Sequence, residues 1–281
     1  MKTILASGDL LPLTCTRSGT CCHGKDIRIT PWELALLAQA RGQSAIDFRD
    51  RHTRDAGTRL RVEGPAGWRG LPACGQYDPT SGCTVHQARP LACRLYPLGR
   101  ERQGDEVRII HEGSSFPCLD GCPEAQHLPH LSVESYLAQQ GAEPFARVRD
   151  AYLDLAQDLA EGAFVLVFDS GLAKRGDGWK RSWRSVGALA VGGLPELMLP
   201  GWHDLVVCPE LEPPSADGTG WVAGHAALVQ RLAQERFASL DQPSELAAAS
   251  ATMLAAALLL IHAVGGAVED VRARWNRQAG V

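Results

Sequence analysis

The chain has 281 residues, a formal net charge of −4 and a hydrophobic content of 45%. This length suits one large or two smaller domains, and the composition excludes an intrinsically disordered chain because enough apolar side chains are available to form a core. The weak negative charge gives no overall attraction to nucleic acid or to an anionic membrane surface. We therefore expect neither as a partner.

The first residues do not have the pattern of a secretory signal peptide. Such a peptide needs an uninterrupted apolar stretch of about 7 to 15 residues. In MKTILASGDLLPLTC that stretch is interrupted by Ser7, Gly8 and Asp9. The sequence therefore predicts a cytoplasmic protein, in which cysteines stay reduced and a metal site is favoured over disulfides.

Cysteine is concentrated at the start of the chain, where eight of the nine cysteines lie within the first 122 residues. These eight are Cys15, Cys21, Cys22, Cys74, Cys83, Cys93, Cys118 and Cys122. Many thiolates close together repel each other, and a bound metal cation is the direct way to keep them deprotonated. We predict all eight as metal ligands. Cys208, in DLVVCPEL, is instead predicted to be a small buried apolar residue.

The segment ITPWELALLAQARG predicts a helix between the first cysteines and the later ones. Thr30 is suited to cap it, Pro31 fits its first turn, and Glu33 completes a capping box. Gly42 is a suitable stop at the other end. Residues 41–69 are then rich in arginine and poor in apolar runs, and VEGPAGWRG predicts a turn or loop that leads to the next cysteines.

The spacing of the cysteines is C-x5-C-C, then C-x8-C-x9-C, then C-x3-C-P. Zinc fingers and ribbons use closer C-x2-4-C pairs, and only the last pair falls in that range. The C-x3-C-P ending also closes the bacterial ferredoxin motif, but the preceding C-x2-C-x2-C is missing. Eight thiolates exceed the four that one zinc ion or one cubane cluster needs. Two sites, one polynuclear site, or one site with bystander cysteines all remain open.

Several linked segments resemble the YkgJ-type cysteine-rich family, which is described as a zinc- or iron-chelating domain. These segments are TCTRSGTCCHG, the helix ITPWELALLAQARG, GCTVHQARPLACRLYPLG and the later C-x3-C, which together span about residues 13–125. The resemblance implies an iron–sulfur cluster, of the 4Fe–4S type, or zinc as the alternative. Because the family includes flagellin lysine N-methylases, it also implies an enzyme that modifies a peptide or protein. The alternative function is a structural, redox or partner-binding module without catalysis.

Two arginines and three histidines lie near these cysteines. Arg89 and Arg94 are predicted to act beside the cluster, either donating hydrogen bonds to sulfur or offsetting the thiolate charge. Pairing with a surface carboxylate is the alternative for both. The histidines could each replace a thiolate as ligand, although a lone histidine usually has no such role. They are His23, His86 and His111.

Helical patterns dominate after residue 125. PFARVRDAYLDLAQDLAEG predicts an amphipathic helix, and FVLVFDSG is interpreted as its continuation rather than a strand. LPELMLPGWHDLVVCPELEPP is interpreted as short strands or irregular structure. In RGDGWKRSWRS, interleaved aromatic and basic residues could bind a nucleotide or a peptide carboxylate, but a loop with two packed tryptophans is favoured.

The last third is predicted to be helical, first in HAALVQRLAQERFASL and then in a long segment from Ser244, as its cap, to about Trp275. Within it, Leu246–Val268 is long enough to cross a membrane, but its alanine-rich composition favours a buried core helix. The predicted fold is therefore mainly α. A cysteine-rich, loop-heavy metal module at residues 1–125 packs on a helical domain at residues 126–281.

Overall fold

The computed structural model describes residues 2–12, 19–104, 106–112, 127–214 and 218–280. The fold is mainly helical with a few small sheets, and this confirms the predicted fold class. The α-helices are α1 (Pro31–Ala40), α2 (Ala45–His52), α3 (Leu91–Leu95), α4 (Val133–Gln139), α5 (Ala142–Phe168), α6 (Gly178–Ala188), α7 (Trp202–Val207), α8 (Gly218–Phe237), α9 (Pro243–Ala263) and α10 (Val268–Ala279). Short 3-10 helices span Thr20–Cys22, Trp68–Gly70, His86–Ala88, Leu172–Arg175 and Val191–Leu197.

The strands are short and most of them lie in the N-terminal half. They are β1 (Lys2–Leu5), β2 (Leu10–Leu11), β3 (Thr53–Arg54), β4 (Arg59–Leu60), β5 (Gly64–Ala66), β6 (Pro72–Ala73), β7 (Tyr77–Asp78), β8 (Gly82–Cys83), β9 (Leu98–Gln103), β10 (Glu106–Glu112) and β11 (Leu131–Ser132). The largest sheet is antiparallel in the order β1-β10-β9, and the others are two-stranded: β11-β2, β3-β4, β5-β6 and β7-β8.

Contacts divide the chain into two compact units, each made of separate stretches of sequence. Unit 1 comprises Met1–Ile27 and Leu60–Ala146, and unit 2 comprises Arg28–Arg59 and Arg147–Val281. These units differ from the predicted domains because α1 and α2 belong with the C-terminal helices. The predicted boundary at residue 125 refers to domains that fold independently, and it stays a prediction.

Unit 1 has a small core between its main sheet and α4. Its buried members are Leu11, Leu98, Val133 and Tyr136, and half-buried apolar residues such as Ile109 pack against them. The register of strands β1, β10 and β9 explains which side chains face this core. Ile109 pairs with Leu5 on one side and with Arg100 on the other, so that these side chains share one face of the sheet.

The helix predicted at ITPWELALLAQARG is α1, and its ends are those that the sequence predicts. The Thr30 hydroxyl accepts a hydrogen bond from the Glu33 amide at 3.3 Å, while the Glu33 carboxylate accepts one from the Thr30 amide at 2.8 Å. Gly42 follows the helix with φ of 63°, a left-handed conformation that favours glycine. The capping box and the stop are both confirmed.

Helix α9 is the centre of unit 2. It is the one helix of the described ranges that is long and apolar enough to cross a membrane, and 89% of its apolar window is buried inside the protein. A helix that is apolar on all sides buries all sides. From Ala249 to Ala263 every residue is buried, as predicted for a core helix.

The buried polar residues of α9, which are Ser250, Thr252 and His262, all have partners within unit 2. The Trp183 indole donates to the Ser250 hydroxyl at 2.6 Å. Thr252 accepts from the Leu199 amide at 3.0 Å, and His262 Nδ1 lies 2.7 Å from the Thr58 hydroxyl. Since a buried polar group costs free energy when it has no partner, these contacts explain how the apolar core tolerates the three residues.

The tryptophans of RGDGWKRSWRS lie on helix α6 rather than in a loop. Trp179 and Trp183 are buried, and their ring centroids are 5.2 Å apart in an edge-to-face arrangement. Lys180 pairs with Asp177 at 2.9 Å. Because both indoles are packed inside the unit, they act as core residues and do not form a stacking surface for a nucleotide.

Four further predictions for the C-terminal part are tested by the structure. FVLVFDSG does continue the preceding helix, since α5 runs without a break to Phe168. Ser244 is not the cap of α9, because the helix begins one residue earlier, at Pro243, after Gln242. The long predicted segment is also two helices, because the chain breaks at Gly265, whose φ is 80°. Residues 194–214, predicted as short strands or irregular structure, contain no strand; they comprise the end of a 3-10 helix, α7 and irregular segments.

A buried histidine of unit 2 gives a pH-dependent prediction. His225 Nε2 lies 2.9 Å from the Leu205 carbonyl and therefore carries the proton, so that Nδ1 accepts from the Tyr152 hydroxyl at 3.1 Å. Burial lowers the pKa of His225 from 6.5 to about 4. The unfolded chain therefore takes up this proton at a higher pH than the folded protein does. The contribution of neutral His225 to the free energy of unfolding is intact above pH 6.5 and is lost as the pH falls toward 4.

We expect the free energy of unfolding to fall by about 2 kcal/mol between pH 7.5 and 5 because of His225. Urea unfolding across this range measures it. His225→Gln should remove that part of the slope, whereas His130→Gln, at an exposed histidine, should keep it. Identical slopes in the two variants would contradict the assignment.

Candidate metal centre

Cys21 and Cys22 lie in a 3-10 turn that the preceding glycine makes possible. Gly19 has φ of 78°, and a Cβ atom there would lie 2.6 Å from the Tyr77 ring. Only glycine adopts this positive φ and also fits against the Tyr77 ring without strain. The turn closes with a hydrogen bond from the Cys22 amide to the Gly19 carbonyl at 2.9 Å. The backbone conformation of this turn thus fixes the position of Cys21 and Cys22.

Cys74 is brought to Cys22 by backbone hydrogen bonds. The Cys74 amide donates to the Cys22 carbonyl at 2.6 Å, and the Gly24 amide donates to the Pro72 carbonyl at 2.9 Å. Between them, His23 forms an antiparallel bridge with Ala73. The first and second cysteine segments are therefore neighbours in space, although about 50 residues separate them along the chain.

Cys83 is placed by the tight hairpin of β7 and β8. Its register pairs Tyr77 with Cys83, and the Asp78 carboxylate holds the turn by accepting hydrogen bonds from the amides of Thr80 and Ser81 at 2.9 and 2.7 Å. This is an Asx-type turn, in which a short acidic side chain caps the following amides. The hairpin brings Cys83 to the cysteine pair at residues 21 and 22.

Three thiols of unit 1 are in hydrogen-bonding contact, and Cys74 lies near them. The Cys22 thiol is hydrogen-bonded to both Cys21 and Cys83, and these contacts raise its pKa far above the usual range. The bond from Cys22 lowers the pKa of Cys21, and the charge of Arg89 lowers it further. Burial raises the pKa of Cys74 to about 11, with the charges of Cys83 and Cys21 adding to it. A cation among these sulfurs would allow them to ionise together.

The remaining predicted ligands are less fully placed. Cys93 is half-buried in α3, where its amide donates to the Pro90 carbonyl at 2.9 Å. Cys15, Cys118 and Cys122 lie outside the described residues. Over the described ranges, no group of three or more Cys, His, Asp or Glu side chains has the arrangement of a metal site. The eight-cysteine ligand set therefore stays a prediction. Of its members, Cys22 contacts Cys21 and Cys83, and the backbone of Cys74 is hydrogen-bonded to that of Cys22.

His23 is buried beside the cysteine pair. Its Nδ1 lies 2.8 Å from the Gly19 carbonyl, which makes this nitrogen the N–H donor. The ring packs edge-to-face on Tyr77, and a Cβ atom at Gly67 would lie 2.2 Å from Nε2. Close packing on both sides fixes the ring. His111 is also buried, in strand β10.

The two predicted arginines hold the loop that leads to α3. Arg94 donates to the backbone carbonyls of Arg89, Gln140 and Gln87 at 2.9, 2.7 and 2.6 Å. Arg89 lies 2.9 and 3.0 Å from the ring nitrogens of His86 and donates to the Gln140 side-chain oxygen at 2.6 Å. Both guanidinium groups are buried. Their hydrogen-bond partners are thus carbonyl, amide and imidazole groups, and the predicted action of both arginines beside the cluster stays a prediction.

Lys25 is a contact residue that sequence reasoning missed. Its ammonium group lies 4.4 Å from the centre of the Tyr96 ring and donates to the Tyr96 hydroxyl at 3.1 Å. Trp68 lies on another side of it, at 5.8 Å. Cation–π contacts of this kind stabilise by about 0.5 to 2 kcal/mol. They join the segment after Cys22 to the segment after Cys93.

Unit 1 also has a mostly apolar groove with a volume of about 850 Å³. Its walls come from the main sheet, α4 and the first turns of α5, and they include Val107, Ile109, Leu137 and Ala142. The groove reaches Leu95 of α3, but its lining contains none of the described cysteines. This groove is therefore not a substrate pocket that the candidate metal centre borders directly.

Comparison with known proteins gives one match. No curated protein and no solved structure matches the chain. Residues 14–110 match the family model CxxCxxCC, described as a putative zinc- or iron-chelating domain. This segment contains Cys21, Cys22, Cys74 and Cys83, the cysteines of the candidate metal centre in unit 1. The match supports metal binding, and it confirms that the cysteine-rich segment is similar to the CxxCxxCC zinc- or iron-chelating family.

Proposed function

We propose that unit 1 binds an iron–sulfur cluster through its N-terminal cysteines, with zinc as the competing occupant. The observation that carries the proposal is the contact of the Cys22 thiol with Cys21 and Cys83, with Cys74 held beside them by its backbone hydrogen bond to Cys22. These cysteines come from three separate segments of the chain. Four thiolates satisfy one cubane cluster or one tetrahedral zinc ion.

The chemistry of the surroundings favours a thiolate-bound metal. The meeting thiols are half-buried or buried, so that a metal there would be shielded from water. The buried guanidinium of Arg89 acts on Cys21 and would offset part of the negative charge of a thiolate cluster. Positive charge beside a cluster raises its reduction potential, which makes a redox role chemically reasonable.

We also propose that the protein works in the cytoplasm, because reduced thiols are available for metal only where disulfides do not form. The six cysteines of the described residues are all free thiols. A peptide or protein substrate, and with it lysine N-methylase-like catalysis, is a proposal that rests on the family resemblance. A module that binds a partner without catalysis is the alternative.

Metal analysis tests the proposal directly. The full chain is purified without oxygen, and iron, zinc and acid-labile sulfide are measured per chain together with the absorption spectrum. Iron and sulfide in comparable amounts, with broad visible absorption, is the expected result. Stoichiometric zinc without sulfide would replace the cluster by the zinc alternative, and a chain free of both metals would overturn metal binding itself.

A further inference from the structure

We infer that the groove of unit 1 is a docking site for an amphipathic helix of a partner protein, one edge of which is acidic and the other basic. The site goes beyond the proposed function, because its lining contains none of the described cysteines and its use needs no metal. An uncovered sheet face, the volume of the groove and the opposite charges of its two walls support this occupant.

The floor of the groove is a face of the main sheet that α4 covers only at one end. Leu5, Ile109 and Arg100 pair across the three strands and share this face. Leu98, two residues before Arg100 on the same face, is buried against α4. Toward the other end, Leu5 and Ile109 are half-buried, and Val107 is 47% exposed. An apolar strip of the sheet is therefore left at the surface.

A helix is the natural cover for this strip. The apolar face of a sheet is normally buried against a helix or a second sheet, and exposed apolar strips often mark interaction sites. An amphipathic helix presents a row of apolar side chains at positions i, i+3, i+4 and i+7, which binds in a groove of this kind. The volume of about 850 Å³ leaves room for such a row.

The two walls of the groove carry opposite charges. The lining residues of the sheet wall include Arg100, Arg108 and Glu106, and their net charge is positive although Arg108 pairs with Glu106 at 2.8 Å. The helix wall has Glu134 of α4 and Glu143 of α5. Charges on two facing walls suit a helix that is acidic along one edge and basic along the other. A lipid chain, with one charged head group, would use only one wall.

The experiment measures the affinity of the full chain for labelled helical peptides by fluorescence anisotropy. Each designed peptide has about 15 residues and carries leucine at positions i, i+3, i+4 and i+7. The mixed peptide has glutamate along one edge and lysine along the other, whereas the two comparison peptides have only glutamate or only lysine along both edges. We expect the mixed peptide to bind about tenfold more tightly than either, because each comparison peptide places like charges against one wall.

Variants of the chain locate the binding site. Val107→Asp places a charge in the apolar floor and should weaken binding of the mixed peptide at least about tenfold. Its matched control is Val165→Asp, at a valine outside the groove that is 53% exposed, and this variant should bind as the unchanged chain does. Glu134→Lys should weaken binding of the mixed peptide and strengthen binding of the glutamate peptide. Because Glu134 is exposed, this variant keeps the test available if Val107→Asp does not fold.

Several outcomes would overturn the inference. They are an absence of binding by the mixed peptide, equal affinities for the three peptides, and equal losses in Val107→Asp and Val165→Asp. Palmitate bound in the groove of a chain that ignores the mixed peptide would assign the groove to a lipid chain instead. Metal content is measured on the same preparations. A metal-free chain that binds the mixed peptide overturns only the proposed metal function, and a metal-loaded chain that does not bind it overturns only the docking site.

Discussion

Cys22→Ser is expected to abolish most metal binding, because Cys22 lies between Cys21 and Cys83 where the thiols meet. Serine is nearly the same size as cysteine, but its hydroxyl does not ionise to a comparable ligand. The substitution therefore removes the donor with little change in packing. Cys83→Ser should have the same effect.

Metal loss should also destabilise the protein. A ligand present at a thousand times its Kd stabilises the folded state by about 4 kcal/mol, and an unloaded Cys22→Ser chain lacks that contribution. Metal content per chain and thermal unfolding measure the two effects. The control is Cys208→Ala, since Cys208 is buried in unit 2 and burial raises the pKa of its thiol to about 12. Equal metal content in Cys22→Ser and Cys208→Ala would refute the ligand assignment.

Trp183→Ala is expected to lower the free energy of unfolding by about 3 to 5 kcal/mol, the range found when a buried tryptophan or phenylalanine is truncated. Trp183 contacts Trp179 and Phe164 edge-to-face and donates to Ser250 of α9. The alanine variant loses this packing and leaves the Ser250 hydroxyl without its donor. Urea unfolding measures the loss.

Two comparisons separate the causes of that loss. Arg184→Ala changes an exposed residue of the same helix and should cost less than about 0.5 kcal/mol, as surface substitutions usually do. Trp183→Phe keeps an aromatic ring but removes the indole donor, so that its cost should become smaller when Ser250→Ala is added. A cost for Trp183→Ala as small as that for Arg184→Ala would show that the α6–α9 packing does not stabilise unit 2.

The sequence predicts best where the determining forces are local. Helix α1 was predicted with both ends because its cap, first-turn proline and stop glycine act within a few residues of the helix. Helix α6 was missed because glycine and several charged residues obscure its apolar positions, Trp179, Trp183 and Val186. Packing of these three side chains in unit 2 outweighs the weak local preference. The Ser244 cap failed because Pro243 already suits the first position of the helix.

The residue type of the ligands in the candidate metal centre could be predicted from the sequence, but their arrangement in space could not. Cysteine density identifies the ligand type, whereas the backbone pairing of Cys74 with Cys22 depends on two segments far apart in sequence. The small strands that position them are two or three residues long, too short for an alternating pattern. The contact of Gln140 with Arg89 could not be predicted, because a glutamine in VESYLAQQ is typical of any polar helix position.

The division of the chain into interleaved units has a consequence for its synthesis on the ribosome. Helices α1 and α2 are made early, but the rest of unit 2 starts only at Arg147. At about 5 to 20 residues per second, the first two helices wait roughly 8 to 40 s for partners such as α7 and α8. During that interval the apolar side chains of Trp32, Leu34 and Leu37, all fully buried in the finished protein, have no permanent cover. Nascent chains stalled between residues 60 and 200 should therefore bind chaperones through the α1 segment, and release them once unit 2 is complete.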